Sequence, residues 1–378
     1  MVPILLGGCV SRARRETPTP PFVFRSLDLS FRQPDGRLAW ELKAPEARYD
    51  LERRLVQAVS LQGVIYQKGK PLYRITAQAG TVLNDGELIQ LEGQPRIQRL
   101  AGKATVITGQ RLRWTPKREW IELEGEPMAA QQGLQIRARQ ALFQLGPDRL
   151  ELRGQPTLRH WQNPPTKGPQ PAPDVVVRVG AADWYPGSGL LRARGPAVAE
   201  RRPGSGLPVQ ILTASGLEGN TERQELSLLA PVRFRDPGQD AQLIAQRTEV
   251  DLRRDLVSSA APFEARSGRS QAWGDGFSLD LRRRSALVSQ GCRLEQPGET
   301  LTAQQCRWNW QQGTFTASGS VQLQRRNPQQ ITRSSSLEGQ IGKNAQAIFS
   351  TPGGRVHSTL RIPPPAPQRS PARPAIAL

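Results

Sequence analysis

Histidine is almost missing from this chain of 378 residues: His160 and His357 are the only two. With three cysteines, no Cys-x-x-Cys and no cluster of His, the donor set of a zinc centre is lacking, and neither a metal nor any other cofactor is expected. Also absent are a Gly-x-Ser-x-Gly elbow, a Gly-rich phosphate loop opening a helix, and a His beside a plausible nucleophile. Carboxylates such as Glu122, Glu124 and Glu151 alternate with apolar residues, as on the solvated face of a strand. The chain is therefore not expected to be an enzyme. Past the amino terminus no apolar run approaches the ~20 residues that span a bilayer. Helical stripes at i, i+3, i+4 are missing too, and the apolar residues come in short alternating runs among 35 Gly and 33 Pro, which is an all-β pattern. Acidic residues are outnumbered, 33 against 52 Lys and Arg, and the resulting +19 attracts polyanions of any kind. Nucleic acid is not the expected one, because the aromatics do not fall in an RNP-like or OB-like pattern.

The amino terminus bears on compartment. Met1-Val2-Pro3-Ile4-Leu5-Leu6-Gly7-Gly8-Cys9 is a short apolar run ending in a sequence that resembles a bacterial lipobox. Residues 1–9 thus read as a signal segment with lipidation at Cys9, and residues 10–21 as a Ser/Arg/Thr/Pro tether. The expected location is the periplasm, anchored through an amino-terminal lipid, or through an uncleaved signal anchor if translation starts farther upstream. Cys292 and Cys306 then remain as an even pair in an oxidising compartment, either bridged or present as two buried thiols, and are expected on neighbouring strands.

Self-similarity is the strongest feature. Leu91-Glu92-Gly93-Gln94-Pro95 recurs as Leu123-Glu124-Gly125-Glu126-Pro127 and Leu152-Arg153-Gly154-Gln155-Pro156, with weaker versions through Gly195, Ala230, Ala261, Gly291 and Gly319. A second mark interleaves with it, in Leu42-Lys43-Ala44, Ile75-Thr76-Ala77, Ile107-Thr108-Gly109, Ile136-Arg137-Ala138, Val179-Gly180-Ala181, Leu212-Thr213-Ala214, Leu243-Ile244-Ala245 and Leu301-Thr302-Ala303. Two marks sharing a step of roughly thirty residues define a repeat architecture. Between them lie turns such as Asn84-Asp85-Gly86 and return strands whose apolar side, Ile89, Leu91, Gly93 and Pro95, alternates with Gln90, Glu92 and Gln94. One face is dry and one wet, so successive units must stack and close against a second sheet. The expected organisation is a first β module over 22–161, a Pro-rich loop over 162–174, a second module over 175–361, and a disordered Pro/Arg-rich tail over 362–378.

Phe24-Arg25-Ser26-Leu27-Asp28-Leu29 and the stretch from Asp35-Gly36-Arg37-Leu38-Ala39-Trp40 to Tyr49-Asp50 resemble the opening of the LptC family. The repeats over about 24–350 are similar to the OstA-type modules of LptC and LptA, periplasmic proteins of lipopolysaccharide export. The resemblance implies an open antiparallel β-jellyroll, two sheets folded like a taco, here as two modules in tandem where LptC-type proteins usually have one. It implies an apolar interior that carries lipopolysaccharide or a related acylated anionic glycolipid. The implied partners are the permeases of an inner-membrane ABC transporter, and an LptA-like bridge protein or a second copy joined by edge-strand pairing. Leu42, Ile75, Leu91, Ile107, Leu123, Ile136, Leu152, Val179, Leu212, Leu243 and Leu301 are the groove candidates, core residues as well as possible lipid contacts. The alternative is a carbohydrate-binding or adhesive β-solenoid of the cell envelope, against which the long step and scarcity of Asn count.

Overall fold

The computed structural model describes residues 22–162, 164, 171–202, 206–326, 328–340 and 346–361. The lipobox with Cys9, the tether and the tail from 362 lie outside the described residues. The fold is all-β and antiparallel, with single 3₁₀ turns at Asn84–Gly86 and Pro116–Arg118 as the helical elements among the described residues. No helix among these residues is long and apolar enough to cross a membrane. The chain divides into two compact units, residues 1–101 with 108–121, and residues 102–107 with 122–378.

Each unit holds two hydrogen-bonded ladders that share a spine. In the smaller unit, the long strands Leu55–Gln67 and Lys70–Leu83 pair along their length and serve both ladders. Their distal halves pair with Glu46–Asp50 and Leu88–Glu92. Their other halves pair with Leu38–Ala44 and Arg96–Arg99. The second unit does the same with Leu256–Ser267 against Ser270–Asp280 and Thr314–Arg325 against Gln329–Gln340. Register shifts in these two pairs, at Ser259/Pro262 and Ser318/Val321, mark where each pair bends from one sheet into the other. Thr157–His160 and Val175–Arg178, which flank the Pro-rich loop, pair with each other inside this unit.

The spine explains the repeat. The expected continuous return strand through Gly93 and Pro95 is not what forms: the strand stops at Glu92, and a new one starts at Arg96 in the other sheet. Gly93 and Gln94 are both left-handed, φ 72° and 60°, as are Gly125 with Glu126 and Gly154 with Gln155. Two successive left-handed residues break the pleat and redirect the chain, a conformation that Gly adopts without steric cost. The second mark packs against this corner. The Gln78 N–H donates to the Gly93 carbonyl at 3.2 Å, and a Cβ on Gly93 would lie 2.6 Å from that of Gln78. Gln304 and Gly319 repeat the arrangement, with an N–H···O distance of 2.8 Å. The two marks share a period because they are the two sides of one corner.

Candidate functional site

Cross-strand pairing lines up interior residues in rows parallel to the spine. In the first sheet of the larger unit the row beside the spine runs Leu217, Leu228, then Phe277, Val288, Cys306, Ala317 and Leu337. Apart from half-buried Val288 these are buried. The next row out begins Phe143, Leu150, Trp184 and Leu191, all at most 2% exposed. It passes through Gly219 and continues as Leu226, Val250, Val257, Leu279, Ala286, Trp308 and Phe315. From Leu226 onward every member is half-buried or, for Trp308 at 42%, exposed.

The second sheet changes in the same way. Its outer interior row runs Ala129, Ile136, Leu158, Val177, Ala199, Leu212, Phe234, Leu243, Ala265, Ala272, Leu294, Leu301 and Leu323. Ala129, Ile136 and Leu158 are buried, whereas Val177 through Leu294 are only half-buried. Together the rows leave an apolar slot, and it is closed again at the far end by packing of Leu301, Leu323, Val321 and Leu337 around the cysteines. Cys292 and Cys306 are bonded, with Cα atoms 5.9 Å apart. They are not on hydrogen-bonded neighbours: Cys292–Gln296 pairs with Glu299–Ala303 in one sheet, and Gln305–Asn309 with Ser285–Val288 in the other. The bridge therefore ties sheet to sheet. The spacing of the two cysteines matches a hairpin as well as a crossing, and only the corner at Ala303-Gln304 decides between them.

Where the slot begins, a cavity of about 270 Å³ is lined by Leu158, Val175 and Val177 of one sheet and by Leu191, Leu217 and Leu226 of the other. Polar groups rim it. The Thr221 hydroxyl donates to Gln131 Oε1 at 3.5 Å, and Gln131 Nε2 donates to Thr105 Oγ1 at 3.3 Å. Trp161 Nε1 donates to the Pro171 carbonyl at 2.9 Å. Burial pushes the His160 imidazole below its ordinary pKa, with nearby Asp174 opposing the shift. A site of this size, apolar with a few polar groups, lies at the small end of ligand pockets and suits an extended aliphatic guest.

Of the groove candidates, Leu42, Ile75, Leu91, Ile107, Leu123, Ile136, Leu152, Val179 and Leu301 are buried, and Leu212 and Leu243 are half-buried. None of them lines the cavity. In the first sheet the repeat marks selected Leu123 and Leu152, next to the corner, while the slot belongs to the following interior position toward the distal turns, two residues along the strand; in the second sheet they selected Leu212 and Leu243, which lie in the outer row itself. Leu226, Val250, Leu279 and Trp308 were missed for that reason, although their alternation with Glu225, Glu249, Ser278 and Arg307 is a usable signal.

The distal turns of the first sheet carry charge. Asp251 Oδ1 accepts the N–H groups of Arg253 and Arg254, each at 2.9 Å, and Asp280 Oδ1 accepts that of Arg283 at 2.8 Å. The Arg254 N–H is the main reason the Asp251 carboxyl stays below its usual pKa, with burial opposing it and the Arg253 N–H adding to it. Elsewhere on this sheet, buried Asp183 accepts from Arg149 at 2.8 Å and from Arg194 at 2.6 Å, a paired charge that stiffens the closed stretch.

Comparison with known proteins gives the relationship. No curated protein sequence matches the chain. Among solved structures it is similar to LptH from Pseudomonas aeruginosa, described as the LptA homologous periplasmic component of the conserved lipopolysaccharide transport device. That similarity is at 12% identity, over 28% of this chain and 76% of that one, with a TM-score of 0.24. Residues 9–156 match the family model described as lipopolysaccharide-assembly, LptC-related. The chain is thus similar to the LptC-related family over residues 9–156, which is less than half of its length.

Proposed function

We propose that the protein takes part in lipopolysaccharide assembly by holding the acyl part of the lipid in the slot of its larger unit and passing it from the inner membrane toward the outer one. The observation that carries this reading is the pair of in-register apolar rows, Leu226 to Phe315 in one sheet and Ala199 to Leu294 in the other, left partly open to solvent. An uncovered apolar surface of this extent is unfavourable unless a guest covers it, at roughly 25 cal/mol per Å². Leu212, Leu243 and Leu301 belong to the lining, and the remaining repeat-mark residues serve as core. The test is photo-crosslinking to lipopolysaccharide from Leu279 and Leu243. Strong adducts at both, with none from the outward Arg307, are expected. Equal labelling at all three positions would remove the slot as the site.

On the same reading the protein is periplasmic, is anchored by lipid at Cys9 and receives lipid from an ABC transporter. Fatty-acid labelling that persists in Cys9→Ser would discard the anchor. The last described strands, Gln346–Ser350 and His357–Arg361, each pair with Gln329–Gln340 on one side, which among the described residues leaves an edge on which an LptA-like protein or a second copy adds a strand. A crosslinker at Ile348 that traps neither partner in cells argues against that junction.

A further inference from the structure

The slot of the larger unit has a lip, and the lip repeats. Turns 221–224, 252–255, 281–284 and 310–313 follow the strands of the first sheet, and each closes on a left-handed residue: Gln224, Asp255, Arg284 or Gly313. They stack by backbone hydrogen bonds. The Leu252 N–H donates to the Gln224 carbonyl at 2.9 Å, that of Leu281 to Asp255 at 3.0 Å, and that of Trp310 to Arg284 at 3.0 Å. Successive turns are two strands apart, so the stations lie roughly 9.5 Å from one another.

Charge is sorted across this column. Asp251 and Asp280 turn inward to hold the turns, with side chains 16% and 27% exposed, while Glu225 stays exposed and pairs with Arg253 at 3.8 Å. Its guanidinium groups are exposed, Arg254 at 79% and Arg283 at 84%, each with Nε in a loose ion pair to Asp251 at 3.6 Å or Asp280 at 3.7 Å that leaves the outer nitrogens to solvent, and Arg253, Arg282 and Arg284 are exposed beside them. Arg282 is itself held in place by Asp255 at 2.8 Å. Directly behind the column lie the half-open residues Val250 and Leu279 and the ring of Trp308, so an amphiphile with its chains in the slot places its headgroup at the turns.

We propose that this column is a rail for phosphate groups: the arginines of turns 252–255 and 281–284 bind the phosphates of an acylated phosphoglycolipid while its chains occupy the slot. The inference rests on the slot reading and adds headgroup chemistry to it. Arginine suits the role because its planar fork pairs with two phosphate oxygens at once, and because it stays charged throughout the accessible pH range. Repetition of the same station along the lip lets one phosphate leave a turn as the next one engages it, so the headgroup need not return to bulk solvent between steps.

The experiment measures binding of fluorescent lipopolysaccharide, intact and chemically dephosphorylated, to the full chain. The proteins compared are the parent, the triple variant Arg254→Gln/Arg283→Gln/Arg284→Gln, and the same three positions changed to Lys. The triple Gln variant is expected to lose about tenfold in affinity for intact lipid, with a weaker salt dependence, and to keep its affinity for the dephosphorylated form. The Lys variant should recover part of the loss. Equal binding of intact lipid by parent and Gln variant overturns the rail and leaves the slot standing, and so does an equal loss for both lipid forms. Failure of the parent to bind either form overturns the rail and the slot together.

Discussion

Two stretches of one row in one sheet have the same alternation and opposite outcomes. From Phe143 to Leu191 the row is sealed, and from Leu226 to Phe315 it is open. Both have apolar residues at every second position, so periodicity does not separate them. Side-chain volume does. The sealed stretch is filled by Phe143, Leu150, Trp184 and Leu191 against Ala129, Ile136 and Leu158, whereas the open stretch faces Ala199, Ala265 and Ala272 interspersed with Leu212, Phe234, Leu243 and Leu294, and itself contains Ala286. Gly219 marks the change, because a Cβ there would lie 2.5 Å from Leu226 Cδ2. An interior is a core or a compartment according to how much of the space between the sheets its side chains occupy.

The largest effect that sharpens this contrast is expected from truncating one tryptophan in each stretch. Trp184→Ala should cost about 3–5 kcal/mol, since it empties a fully packed position, and Trp308→Ala about 1 kcal/mol or less. Urea denaturation of both variants measures the difference, and equal costs would erase the distinction. Next comes the bridge at the closed end. Cys292→Ser with Cys306→Ser should lower stability by about 2–4 kcal/mol, and hydrogen exchange should rise in 285–325 while 140–160 stays protected. Uniform deprotection of both stretches would contradict a local tie between sheets.

Gly219→Ala tests the boundary. The added methyl group overpacks against Leu226 and the Glu225 carbonyl, so a loss of about 1–3 kcal/mol is expected. A neutral result would show that Leu226 has room to retreat into the cavity. The smallest effect concerns acid. His160 is held below its unfolded pKa by burial, so the folded unit binds fewer protons than the unfolded chain as pH falls through the ordinary histidine range near 6.5. Stability should therefore be full above that range and decline below it, and His160→Gln should flatten this part of a melting-temperature profile between pH 7.5 and pH 5. A parent profile already flat there would show that Asp174 offsets the burial.

Much of the fold was legible because it is local. Alternation in Ile121 to Leu123 and Leu150 to Leu152 specifies strands with one buried face, and the paired marks at Ala77 and Gly93 specify the period. What sequence reading missed is the geometry at the marks. Gly93-Gln94 reads as a continuing strand until its two left-handed residues are seen, and the corner they make determines which sheet each following residue joins. Missing the crossings also explains Cys292 and Cys306, which are separated by the one at Ala303-Gln304 and so meet across the interior instead of along a ladder. The first-sheet side of the slot was illegible for a different reason. Its lining residues are ordinary Leu, Val and Ala, and what marks them is the width left between two sheets, a long-range quantity that no short window of sequence contains.

The corner built from a left-handed pair has a consequence for size. Because successive repeats cross between the sheets at corresponding positions, by this corner or by a bulge or Pro-containing bend in its place, one of them can be inserted or deleted without altering the cross-section of its neighbours, and only the run length changes, by roughly 9.5 Å for two strands in each sheet. Within the larger unit, reach is then a quantity that natural variation can adjust by whole steps while the chemistry of each step stays fixed. A ruler of this kind can be matched to whatever gap it has to cross.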